Sequence, residues 1–182
     1  KNPFTISGKI LFKNFSTKIM ESQTLFLKII VIGDSGVGKT SLIHQYCYGF
    51  FKQHNLATIG CDFSTKVLTK FQSKTVRIQL WDIAGQEKYK MFSKLYLRGA
   101  TGCIIVSDVN QQETLKSALN WKKIVNDCFI EEGNQPIPII LFQNKVDLLD
   151  SITNNKDEPN KINLLKEFDN DNNFIGSVET SA

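Results

Sequence analysis

The stretch "LFLKIIVIGDSGVGKTSLI" (25–43) runs a β-branched apolar segment into a glycine-rich turn and out into a helical pattern. "LFLKIIVIG" reads as a strand buried on both faces. "GDSGVGKT" (33–40) fits the pattern G-x-x-x-x-G-K-[ST], placed where its mechanism needs it, between strand and helix. Gly33, Gly36 and Gly38 let the backbone curl so that successive N–H groups point inward at a phosphate chain. The helix N-terminus adds positive potential. Lys39 can bridge the outer phosphates and the Thr40 hydroxyl can ligate Mg2+. The phosphate-binding candidates are therefore Ser35, Gly36, Val37, Gly38, Lys39, Thr40 and Ser41. An ordinary glycine-rich strand–helix turn is the competing reading, and this placement disfavours it. The motif specifies a nucleoside triphosphate and no more: an ATPase, a nucleoside kinase or a GTPase would all carry it.

Outward from this turn, strand and helix patterns alternate. Leu42, Ile43, Tyr46, Cys47 and Phe50 follow at helical spacing, and "CDFSTKVLTKF" and "TVRIQLWDI" flank a short polar "QSK" as a hairpin would. A helix-like piece at 87–98, the strand "GCIIVSDV" (102–109), a helix over 112–130, the strand "PIPIILFQN" (136–144) and a last strand in "FIGSVETSA" complete the rhythm. Such alternation predicts an α/β fold with a mainly parallel sheet and one antiparallel edge strand. Residues 150–173, rich in Asn, Asp and Lys, read as a solvated connector.

The bulk properties agree. A chain of 182 residues, 41% apolar with net charge +4, is most simply one soluble globular domain, and its dispersed lysines leave no nucleic-acid footprint. Cys47, Cys61, Cys103 and Cys128 form no CxxC pair and no zinc site, and Cys47, Cys103 and Cys128, in apolar-periodic stretches, read as buried thiols. No apolar run nears the roughly 20 residues that span a bilayer. Residues 1–22 are expected to be a disordered N-terminal extension before a domain at 23–182, with Met20 as the natural start.

Two further stretches narrow the chemistry. In "LWDIAGQEKYK" (80–90), Asp82 ends a strand where its carboxylate can reach a Mg2+ shell, Gly85 could offer an N–H to a γ-phosphate, and Gln86 could orient the attacking water. "NKVD" (144–147) closes another strand at the carboxyl edge, where ligands bind in doubly wound sheets. Asp147 can accept two hydrogen bonds from N1–H and the exocyclic amine of guanine, which adenine cannot donate. Asn144 could tie this loop to the phosphate loop, and the Lys145 stem could lie across the base.

With these three motifs in this order, residues 25–182 resemble a Ras-superfamily small GTPase of the Rab branch. "ATIGCDF" (57–63), "YLRGA" (96–100) and "ETSA" (179–182) strengthen the likeness. The resemblance implies a six-stranded, mostly parallel sheet flanked by helices, the P-loop NTPase G domain. It makes Thr58 a second Mg2+ ligand beside Thr40 and Asp82, and Phe51 the aromatic against guanine. Ser181 and Ala182 become contacts to the guanine carbonyl, and Ile59, Phe63, Trp81 and Tyr96 an effector-facing patch. Strand aromatics are more often ordinary core packing.

The resemblance further implies a switch that binds GTP or GDP with Mg2+ and slowly hydrolyses GTP, regulating vesicular traffic. Effectors, an exchange factor and a GTPase-activating protein would be its partners. Ile83 stands where most Rab proteins have Thr; with "ATIG", "WK" (121–122) and "PIP" (136–138) it resembles the subgroup serving lysosome-related organelles. The chain stops at Ala182, where the family continues into a last helix and a lipidated tail. The reading is thus a C-terminally truncated domain whose parent attaches to the cytosolic face of endosomal or lysosome-related membranes only through that tail. A GTP-binding scaffold without turnover is the alternative, and Gln86 argues against it. An ATP-using enzyme is disfavoured by Asp147.

Overall fold

The computed structural model describes residues 24–51, 57–71, 74–85, 95–149 and 174–182. Strand β1 (Thr24–Ile32) is followed by helix α1 (Lys39–Tyr48), then by the hairpin of β2 (Cys61–Phe71) and β3 (Lys74–Ile83). Strand β4 (Gly102–Asp108), helix α2 (Gln112–Glu131), strand β5 (Ile139–Asn144) and strand β6 (Ser177–Thr180) complete the elements, with a 3-10 turn at Val146–Leu148 after β5. The expected N-terminal extension and the connector at 150–173 lie outside the described residues, as does the piece at 87–98 apart from a helical turn at 95–97.

The six strands form one sheet in the order β2-β3-β1-β4-β5-β6. Only β2 runs antiparallel, pairing with β3 from Cys61↔Ile83 to Phe71↔Lys74 with a register irregularity after Leu68. The other pairs are parallel. This is the expected mixed, mostly parallel sheet. β1 lies between β3 and β4, so the loop leaving its carboxyl end opens where the strand order reverses, the usual ligand crevice of such sheets.

Alternation along the strands builds two cores. Ile30, Ile32, Ile83, Ile105 and Leu141 point to one face and pack against Leu115, Ala118, Trp121, Val125 and Phe129 of α2. Those α2 positions recur at helical spacing, which is why this segment makes an amphipathic helix. Val31, Leu80 and Val106 point to the other face, against Ile43 of α1 and Val37 of the preceding loop. Ile30, Ile105 and Leu141 are fully buried. At roughly 1.5–3 kcal/mol for each such side chain, the central strands anchor the fold.

Three expectations need correction. β1 is not buried on both faces throughout: Leu25 and Phe26 are exposed, and full burial begins at Ile30. Next, the "PIPIILFQN" strand starts at Ile139, not at Pro136. Prolines lack the N–H that a ladder needs, although the Pro138 carbonyl still accepts from Cys103 N–H at 3.0 Å. Finally, Cys47 is only half-buried, while Cys103 and Cys128 are buried. Beside α1 a groove of about 760 Å³ runs between Leu27, Ile29, Ile104, Ile140, Phe142 and Ile175. No helix among the described residues is long and apolar enough to cross a membrane.

Candidate nucleotide site

At the carboxyl end of β1 the chain turns through the glycine-rich loop and enters α1 with Gly38 as N-cap, at a left-handed φ of 97°. A side chain there would also collide, because its Cβ would come within 2.4 Å of Asn144 Nδ2. The first turn of α1 holds no acidic residue of its own, so its positive end is left to groups brought from elsewhere in the fold. Lys39 is buried; its Nζ donates to the carbonyls of Gly33 at 2.9 Å and Asp34 at 2.8 Å. Burial pushes the Lys39 ammonium down to about 8, against the pull of the Asp82 and Asp34 carboxylates. Ser35 and Gly36 are exposed at the loop's tip, Val37 is buried beneath it, and Ser41 is half-buried in the first turn of α1.

Asp82, near the end of β3, stands beside β1 in register with Val31 and reaches the same corner. Thr40 Oγ1 donates to Asp82 Oδ2 at 2.5 Å, and Thr58 Oγ1 lies 2.9 Å from Thr40 Oγ1 and 3.3 Å from Asp82 Oδ2. Asp82 Oδ1 is buried without a hydrogen-bond partner, and burial raises the carboxyl pKa despite the two threonines and Lys39. An orphaned carboxylate oxygen beside two hydroxyls is a hard oxygen set of the kind Mg2+ takes, with water and phosphate to complete the shell. No group of three or more His, Cys, Asp or Glu that could hold a metal ion gathers among the described residues. Gly85 presses on the phosphate loop, where a Cβ would come within 2.5 Å of Asp34 C, Gly33 O and Ser35 N. Gln86 lies outside the described residues.

The third piece comes from the end of β5. Asn144 is buried; its Nδ2 donates to Val37 O at 2.9 Å, tying this strand to the phosphate loop. Its Oδ1 accepts from Thr180 Oγ1 at 3.3 Å, which adds β6. Lys145 adopts a left-handed backbone at φ 67°, and its Nζ is paired with the buried Asp108 carboxylate at 2.8 Å. Asp147 is exposed and accepts from Ser181 Oγ at 2.6 Å, with Ala182 next in the chain. Phe51 is exposed beyond α1.

Sequence reasoning missed Asp108 and Thr180. Both sit in stretches that read as strand, and only their partners, Lys145 and Asn144, reveal them. Asp108 ends a strand, the one signal that could have drawn attention to it.

On the α2-side face of β2 and β3, at the edge of the core that holds Ile83, Phe63 stacks on Trp81 with centroids 5.7 Å apart, and Tyr96 lies 6.3 Å from Trp81. Phe63 and Ile59 are exposed, Trp81 and Tyr96 half-buried. Lys28 Nζ sits 4.2 Å over the Trp81 ring, and burial lowers its pKa, partly offset by Cys61.

The sequence profile of the Ras family matches residues 28–182. The chain belongs to that family. Within it the likeness is to Rab proteins. The chain is 38% identical over 162 residues to the Ras-related protein Rab-32 of Homo sapiens, covering 89% of this chain and 69% of that protein. It is 37% identical over 163 residues to the Ras-related protein Rab-7L1 of Rattus norvegicus, covering 90% and 76%. With the Ras-related protein Rab-32B of Dictyostelium discoideum it shares 39% over 155 residues, 85% of this chain and 57% of that one. It is a Rab-family small GTPase resembling the Rab-32 subgroup, the lineage that Ile83 suggested.

Proposed function

We propose that the chain is a guanine-nucleotide switch that binds GTP or GDP with Mg2+, hydrolyses GTP slowly and regulates vesicular membrane traffic. One observation carries this reading: Thr40, Thr58 and Asp82, from three separate segments, converge beside Lys39 with one carboxylate oxygen left unpartnered. In the proposed complex Thr40, Thr58 and Asp82 hold Mg2+, which would neutralise charge developing on the phosphates. Lys39, freed from two carbonyls, takes phosphate oxygens; the loop from Ser35 to Ser41 wraps the chain of phosphates. Asp147 reads guanine, steadied by Ser181 and Ala182, while Lys145 and Phe51 flank the base. Gln86 orients the attacking water and Gly85 contacts the γ-phosphate.

Arg77 lies over Phe26 in the first half of β3 and Arg98 is exposed, its carbonyl taken by Lys28, so neither supports an internal arginine finger. A GTPase-activating protein would supply one. Hydrolysis would release the segments around Thr58 and Gly85, changing what effectors meet at Ile59, Phe63, Trp81 and Tyr96. An exchange factor would reload GTP, and attachment to endosomal or lysosome-related membranes would come through a lipid anchor.

The test is equilibrium binding of labelled GDP and ADP, followed by single-turnover GTP hydrolysis. GDP should bind far more tightly; tighter ADP binding removes the guanine assignment. Gln86→Leu should lower the hydrolysis rate with nucleotide affinity retained, and an unchanged rate removes Gln86 from its role.

A further inference from the structure

The two tryptophans are treated differently by the fold. Trp81 buries its indole Nε1 with no hydrogen-bond partner. Trp121, on α2, sends its Nε1–H across to Asp34 Oδ1 at 2.9 Å, a contact between residues 87 apart in sequence. The Trp121 ring is itself part of the core with Ile83, Ile105 and Leu115, so its donor is held by packing on several sides. A buried indole usually finds some acceptor, and a backbone carbonyl would have sufficed. Here the acceptor is the carboxylate of the second residue of the phosphate loop.

Asp34 is a junction. Its carbonyl accepts from Lys39 Nζ at 2.8 Å. Its main chain is also the surface that Gly85 presses against. Its carboxylate is one of the two charges favouring protonated Lys39. A rotation of Asp34 would therefore move the Lys39 partner and the Gly85 contact together.

We infer that Trp121 is a positioning residue for the nucleotide: its indole N–H fixes Asp34, and through Asp34 the geometry of the phosphate loop around Lys39. The chain of action is short. α2 is packed rigidly on the sheet, Trp121 carries that rigidity to the loop through one hydrogen bond, and the loop meets the phosphates already shaped. The assignment rests on the proposal that this loop binds a guanine nucleotide.

The test uses the full chain loaded with a fluorescent GDP analogue and excess Mg2+. Trp121→Phe keeps a ring in the core and deletes the donor; Asp34→Ala deletes the acceptor. Each is expected to speed nucleotide release by roughly tenfold or more, the scale of a lost hydrogen bond to a charged group. The double variant should be no faster than the faster single one, because both remove the same contact. A second measurement reads the bond without nucleotide release. In a Trp81→Phe background Trp121 is the sole tryptophan, and Asp34→Ala should shift its emission. Additive effects in the double variant, unchanged release rates, or emission indifferent to Asp34 would each overturn the assignment. Failure of the unsubstituted chain to bind GDP overturns the nucleotide reading as well, whereas tight GDP binding without coupling overturns this inference alone.

Discussion

Asn144→Ala tests whether the site is held together as described. The Asn144 amide is buried, donating to Val37 O at 2.9 Å and accepting from Thr180 Oγ1 at 3.3 Å. Alanine removes both bonds and leaves the Val37 carbonyl without that donor. An unsatisfied buried acceptor costs about 1–3 kcal/mol, and the longer Thr180 bond contributes about 0.5–1.5 kcal/mol. Some of this loss lowers the stability of the empty protein. The rest appears in binding, because the phosphate loop then pays its ordering cost on meeting the ligand. The expected result is GDP release faster by about 10–100-fold, since each 1.4 kcal/mol is a factor of ten. Stopped-flow release of a fluorescent GDP analogue, beside urea denaturation of the nucleotide-free protein, separates the two parts. Unchanged release with lowered stability would refute the idea that Asn144 shapes the loop and leave it a plain structural residue.

Three further outcomes are expected. Ile83→Thr should lower stability by about 1–2 kcal/mol, seen as a fall of a few degrees in Tm, because it puts a hydroxyl into the α2-side core where Ile83 is buried; GDP affinity should hardly change. Burial, with help from Asp82 and Asp62 and opposed by Lys28, pushes the Cys61 thiol up to about 11 from the ordinary 9.0. Iodoacetamide at pH 8 should therefore alkylate Cys61 about a hundredfold more slowly in the native than in the denatured protein, read by peptide mass spectrometry. Lys39 is held down to about 8 against an ordinary 10.5, so between those values the unfolded chain binds more protons than the native one. The nucleotide-free protein should gain urea resistance as pH rises through that window, while GDP affinity falls as the ammonium is lost.

Much of this was legible in the chain because its signals are local. Alternation in "KIIVI" and the helical spacing of Leu115, Ala118, Val125 and Cys128 reflect burial that each segment repeats several times. The family motifs are short contiguous words, so Lys39, Asp82 and Asn144 could be named from sequence. What could not be read is pairing across distance. Nothing in the spacing of Trp121 and Asp34 announces a hydrogen bond, and Asp108 pairing with Lys145 depends on β4 and β5 lying side by side. Exposure at the start of β1 was misjudged for a related reason. An apolar run shows what could be covered, whereas the cover over Leu25 and Phe26 depends on elements elsewhere. The proline-led stretch before β5 was assigned to the strand on hydrophobicity alone, although its missing N–H groups already ruled out a full ladder.

The bond from Asn144 to Val37 spans 107 positions of chain, and the Ser181 contact to Asp147 adds a still later residue. The order of synthesis gives this layout a consequence. A nascent chain that has emerged only through α1 carries the whole glycine-rich word, yet lacks the strand that clamps the loop. Contacts of such long sequence separation form slowly, after local helices and hairpins. The nucleotide therefore meets a competent pocket only once β5 and β6 have emerged, and then acts as a ligand that favours the native state over every partly made one. A ribosome-stalled chain ending before β5 should retain no GDP, whereas one that has extruded β6 should.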